Sequence, residues 1–158
     1  MSPAGSGAME QLYQQVILDH ARERHGYGLT GDVDAAGTGE SFQVNPTCGD
    51  EVRLRVRVDD GTVAEVSWEG VGCSISQAST SVLTDVVGGA SLADVEELSA
   101  LFGELMRSRG AGLGAEAEEQ LGDAAVFAGT SKYPARVKCA LLGWMALRDA
   151  LIKGSKGE

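Results

Sequence analysis

Positive charge is scarce in this chain: 13 Lys and Arg residues stand against 23 Asp and Glu over 158 positions, a formal net charge of −10. A nucleic-acid binder concentrates basic side chains to displace counterions, so this balance excludes nucleic acid as the expected partner. Long apolar runs are also missing. No stretch approaches the roughly 20 residues that a membrane-spanning helix requires, which removes the membrane as a second partner class. The opening MSPAGSGAME has neither the basic nor the apolar region of a secretory signal, so the expected compartment is the cytoplasm. Histidine is limited to His20 and His25, both far in sequence from any cysteine. The three cysteines, Cys48, Cys73 and Cys139, cannot all pair within the chain, and in a reducing compartment thiols serve as ligands or nucleophiles. No CxxC pair, internal repeat or heptad array is present.

What is present fits one domain. A chain of this length with 43% hydrophobic residues can fill a single core. Residues 1–8 read as a disordered Gly/Ser/Ala leader, and residues 9–158 as the domain. MEQLYQQVILDHARERHGYG spaces Leu12, Val16, Ile17 and His20 as a helix face, closed by Gly26 and Gly28. SFQVNP reads as a short strand stopped by Pro46. In DEVRLRVRVDDGTVAEVSWEG, Val52, Leu54, Val56 and Val58 alternate with arginines and DDGT makes the turn, which predicts a hairpin whose polar face sets Arg53, Arg55 and Arg57 against Glu65 and Glu69. After Cys73 the period changes to that of a helix, with Ile75, Ala78, Val82 and Val86 ending at Gly88 and Gly89. Ser91 and Asp94 open another helix over residues 91–107 in capping-box spacing. Residues 107–128 are glycine-rich and acidic and read as a mobile insertion around a short helix near 115–122. A last helix starts at Pro134 and carries Val137, Ala140, Leu141, Trp144, Leu147 and Leu151 inward. Trp68 and Trp144 read as core anchors. The expected fold is α+β: a small antiparallel three-stranded sheet with helices packed on one face.

Cys48, Asp50, Cys73 and Cys139 each sit at an element boundary, where side chains from separate segments can converge. Zinc accepts thiolate and carboxylate together and prefers four ligands. Gly49 permits a tight backbone between Cys48 and Asp50, so the two can point the same way. Cys73 and Cys139 lie close to expected helix N-termini, where the positive dipole end lowers a thiol pKa. Three thiolates, one carboxylate and a divalent ion sum to −2, and Arg136 and Lys138 stand either as its offset or as solvent-facing residues of an exposed turn. Spacing alone leaves the cysteines open between metal ligands and small core-filling residues. His20, on an otherwise aliphatic face, reads as a packed, hydrogen-bonded structural residue.

Four local sequences narrow this. NPTCGDEV, GVGCSISQAS and RVKCALLGW, with LYQQVILDH near the start, resemble the IscU-like (NifU N-terminal domain-like) iron-sulfur cluster assembly family over residues 9 to 153. Two features resemble its SufU branch: Lys138 stands where scaffold members carry a histidine, and the glycine-rich segment 107–128 is inserted. The resemblance implies a zinc site made by Cys48, Asp50, Cys73 and Cys139. It also implies that Cys48 accepts persulfide sulfur from a SufS-type cysteine desulfurase, in the service of downstream iron-sulfur assembly proteins. Docking of the desulfurase would supply a competing metal ligand and free Cys48. The alternative is a scaffold that binds iron or an iron-sulfur cluster through the same cysteines, and a third reading is a purely structural zinc adaptor.

Overall fold

The computed structural model describes residues 3–156. Three strands, β1 (Thr38–Asn45), β2 (Asp50–Asp59) and β3 (Thr62–Val71), form one antiparallel sheet in the order β1-β2-β3. The β2–β3 turn places Asp60 and Gly61 at φ 52° and 77°, the left-handed pair that matches the twist of a two-residue hairpin. Alternation along β2 buries Val52, Leu54 and Val56 on one face. The opposite face holds the arginines, and here the structure differs from the sequence expectation. Arg53 lies opposite Glu69 in register, yet its guanidinium bonds Glu40 of β1, which also receives Arg55; among the described residues Arg57 is the arginine that pairs across the hairpin, to Glu65. Arg55 has its Cα partner at Glu40, so β1 supplies the carboxylate that the hairpin alone was expected to provide.

Five α-helices accompany the sheet: α1 (Pro3–Glu23), α2 (Ser74–Val87), α3 (Leu92–Arg107), α4 (Ala115–Leu121) and α5 (Pro134–Lys156). Helix α5 crosses β1 and β2, α2 lies beside α5 and against β3, and α1 packs on α2. The α+β architecture is therefore the expected one, a three-stranded antiparallel sheet with its apolar face covered by helices. Helix α1 begins at Pro3, inside the span read as a leader, and the side chains of residues 1–8 lie outside the described residues. On its inward face Tyr13, Val16 and Ile17 join the core, whereas Leu12 is exposed. Ser91 caps α3, its Oγ accepting the Asp94 N–H at 3.1 Å.

The later part of the segment read as a mobile insertion is packed, while residues 107–120 are exposed or half-buried. After α4, whose last residue Leu121 is fully buried, the chain winds into a 3-10 segment, Gly122–Lys132, that buries Ala124 and Phe127 completely. Phe127 meets the edge of Phe102, and Phe102 stacks on Trp144 of α5 at 4.8 Å. Trp68 and Trp144 are both core residues. No helix among the described residues is long and apolar enough to cross a membrane.

Candidate metal centre

Residues 46–49 turn β1 into β2 at the end of their ladder, closed by the Gly49 N–H on the Asn45 carbonyl at 2.7 Å. Gly49 sits at φ 77°, a conformation that strains any residue with a Cβ, so the turn between Cys48 and Asp50 depends on glycine. Cys48 is exposed on this turn, and Asp50, the first residue of β2, points inward with 2% exposure. Cys73 is the N-cap of α2, and Cys139 is the sixth residue of α5, buried at 4%. Because α5 lies across β1 and β2, its second turn comes down on the 46–49 turn. The Cys48 and Cys139 sulfurs are 3.5 Å apart.

Asp50 joins the third cysteine to this pair. Its Oδ1 accepts the Cys73 N–H at 3.0 Å and its Oδ2 lies 3.7 Å from Cys73 Sγ. The carboxylate thus takes up an unpaired amide at the positive end of α2, a favourable place for a buried anion. A Cβ on Gly72 would lie 2.5 Å from Asp50 Oδ1, so the strand-to-helix link must be glycine for the carboxylate to fit. One donor atom each from Cys48, Asp50 and Cys139 falls within 4.8 Å of the others, and Cys73 adjoins through Asp50. Zinc–sulfur bonds near 2.3 Å place two thiolates about 3.8 Å apart in a tetrahedron. The observed sulfur spacing of 3.5 Å is close to that and far beyond the roughly 2.05 Å of a disulfide. Cys48, Cys139 and Asp50 fit a zinc ion in donor type and spacing, while Cys73 lies outside that trio, its sulfur 3.7 Å from Asp50 Oδ2.

One sequence expectation about the surroundings needs correction, and the structure bears on one alternative that the sequence left open. Cys139 was expected to gain from a helix dipole, but its position in the second turn is past the range of that effect. Burial pushes its thiol well above the ordinary range, and Asp50, Cys48 and Cys73 push in the same direction. Arg136 and Lys138 are exposed; Arg136 lies over the Tyr133 ring at 4.6 Å, and among the described residues neither forms an ion pair with Asp50. Sequence reasoning also missed Asn45. Its buried amide donates to Cys48 Sγ at 3.3 Å and lies 4.0 Å from Cys139 Sγ, while its Oδ1 accepts the Thr47 N–H at 3.2 Å. The Asn-Pro step that opens the cysteine turn is an Asx-turn former before a fixed φ, which marks the turn but not the contact with sulfur.

Residues 12–140 match the NifU-like N terminal domain. The chain belongs to this family. Among its NifU-like relatives, the zinc-dependent sulfurtransferase SufU of Bacillus subtilis is 36% identical over 95% of this chain and 96% of its own. The iron-sulfur cluster assembly scaffold protein IscU of Streptococcus pyogenes is 34% identical over 95% of this chain and 89% of its own. A solved SufU from Fervidobacterium islandicum superposes with a TM-score of 0.72 at 31% identity, covering 87% of this chain and 94% of that one. A NifU-like N-terminal protein of Brucella abortus, at 23% identity and a TM-score of 0.77 over 91% of this chain and 94% of that one, shares the fold. This NifU-like chain is therefore of the iron-sulfur cluster assembly scaffold and SufU type.

Proposed function

We propose that the chain is a zinc-dependent sulfurtransferase: it takes sulfane sulfur from the persulfide of a SufS-type cysteine desulfurase onto Cys48 and delivers it to downstream iron-sulfur assembly proteins. The observation that carries this reading is an exposed Cys48 on a glycine-bearing turn, with a second thiol at 3.5 Å and an amide donor at 3.3 Å. The identity to the Bacillus subtilis sulfurtransferase along nearly the full chain supports it. Cys48, Asp50, Cys73 and Cys139 would hold the metal. Zinc, when bound, supplies the positive charge that keeps such thiols deprotonated at neutral pH.

The transfer itself is a thiol exchange. The Cys48 thiolate attacks the outer sulfur of the desulfurase persulfide. A sulfur–sulfur bond to Cys48 forms, the donor's S–S bond breaks, and the desulfurase cysteine leaves as its thiolate. Sulfane sulfur changes carrier without net oxidation, so the step needs no separate reductant. Asn45 steadies the anionic sulfur by its N–H, and the Cys73 amide holds Asp50 in place. The test is desulfurase turnover with free cysteine as substrate. The intact chain raises turnover, and Cys48→Ala abolishes the increase while its circular dichroism stays native; a Cys48→Ala chain that stimulates fully would refute the assignment.

A second reading rests on the Streptococcus relative: a scaffold that assembles an iron-sulfur cluster on the same thiols. Lys138 beside Cys139 weighs against it, since a protonated ammonium cannot ligate iron. The purified chain is expected to be colourless, with about one zinc per chain held at the thiol centre. A brown chain with visible cluster absorbance would favour the scaffold.

A further inference from the structure

A second group of donors lies where the end of α1 meets α2. Arg24 adopts φ 48°, turning the chain back so that His25 lies beside His20 with ring centroids 4.7 Å apart. The His25 N–H donates to Ser81 Oγ at 2.8 Å, which fixes the turn on α2. Both rings face α2 through Nδ1, His20 at 2.8 Å from Ser81 Oγ and His25 at 2.7 Å from Asp85 Oδ2. Ser81 and Asp85 are four residues apart and share one face of the helix. The other nitrogen of each ring meets an outer carboxylate, His20 Nε2 at 3.4 Å from Asp123 and His25 Nε2 at 2.9 Å from Glu23. One donor atom each from His20, His25 and Asp85 falls within 4.8 Å of the others.

The charge at this place is unbalanced. Among the described residues, the ion pairs of Glu23, Asp85 and Asp123 are made to the two histidines alone. The neighbouring Arg22 is paired with Asp19, and Arg24 lies over the Tyr27 ring. Three carboxylates around two neutral imidazoles carry −3, in a chain already at −10. An imidazole whose far nitrogen is held by a carboxylate is the common setting of a metal-ligating histidine. Two imidazoles and a carboxylate, with open positions left for water, suit zinc, cobalt, nickel or ferrous iron.

We propose that His20, His25 and Asp85 bind a divalent transition-metal ion at a site of their own. It lies about 18 Å from Cys73 along α2, at 1.5 Å of rise per residue. The half-buried His25 and exposed Asp85 rotate to widen their contact to the donor spacing of about 3.3 Å that bonds near 2.0 Å require. The ion replaces the proton shared between them, while Glu23 and Asp123 orient the rings. Its binding ties the end of α1 to α2 and to the start of the 3-10 segment.

Cobalt(II) titration of the metal-free full chain under reducing conditions tests this. Thiolate-bound cobalt absorbs strongly in the near ultraviolet, whereas a nitrogen and oxygen site gives only weak visible bands. The proposal predicts two equivalents per chain, with the strong band belonging to one of them. His25→Ala and Asp85→Asn, each checked for native circular dichroism, bind one equivalent and keep the strong band. Asp123→Asn keeps both equivalents but weakens the second about 10- to 100-fold. A chain without the strong band that still binds the histidine-dependent equivalent would contradict the thiol centre and support this site. A wild-type chain that binds one equivalent only, or His25→Ala and Asp85→Asn chains that both retain two, would overturn it.

Discussion

Asn45 is the residue that gives the thiol turn its polarity. Its amide is buried, its oxygen is committed to the Thr47 N–H, and its N–H group is left to face sulfur. A hydrogen bond to a charged acceptor contributes about 1.5–3 kcal/mol, and each 1.4 kcal/mol is roughly a factor of ten. Asn45→Ala should therefore slow persulfide transfer to Cys48 about tenfold or more in a single-turnover measurement, with the melting temperature changed far less than the rate. An unchanged rate would show that the amide only shapes the turn. The amide contact was not legible in the sequence, because nothing in NPTCGDEV says that residue 45 faces residue 48 rather than solvent. The cysteines were legible as a group, since rare reactive residues at element boundaries stand out; their 3.5 Å approach was not, since it depends on how α5 crosses the sheet.

At the scale of elements, the polar face of the sheet is organised around Glu40. Burial raises its pKa, but Arg55 and Arg53 outweigh that and hold its carboxyl below the ordinary range. A carboxylate whose folded pKa is depressed contributes stability that is fully present above its unfolded pKa and is lost as pH falls through the folded value. Glu40→Gln should thus lower stability at neutral pH and flatten its decline below the ordinary carboxylate range, as read by urea denaturation at a series of pH values. Equal acid limbs in the two proteins would contradict this. The hairpin was predictable from the alternation of Val52, Leu54 and Val56, and α3 from Ser91 with Asp94. The choice of Glu40 over Glu69 was not, because the register of β1 on β2 is set by how the 46–49 turn closes, which the residue pattern of β1 does not encode.

The 3-10 segment is the other element that sequence pattern concealed. Its glycines and acids suggested solvent, while Phe127, which belongs to no amphipathic helical or strand period, carries its burial together with Ala124. Phe127→Ala should cost about 3–5 kcal/mol of unfolding free energy, the range for a large aromatic lost from a core. A loss under about 1 kcal/mol would mean that the segment rests on the domain without supporting it.

For the whole molecule, the thiol centre draws on four separate places: the 46–49 turn, the start of β2, the N-cap of α2 and the second turn of α5. The sheet and its helices form a frame whose one end collects Cys48, Cys139 and Asp50, with Cys73 adjoining through Asp50; Cys48 and Cys73 are exposed, and Cys48 is the one carried on the turn between β1 and β2. The most direct measurement is intact and peptide-level mass spectrometry of the zinc-loaded chain after incubation with a cysteine desulfurase and free cysteine. The account predicts a gain of about 32 Da, one sulfane sulfur, located on Cys48 and absent from Cys48→Ala. Sulfur found on Cys73 or Cys139 instead, or on none of the three while the desulfurase turns over, would contradict it.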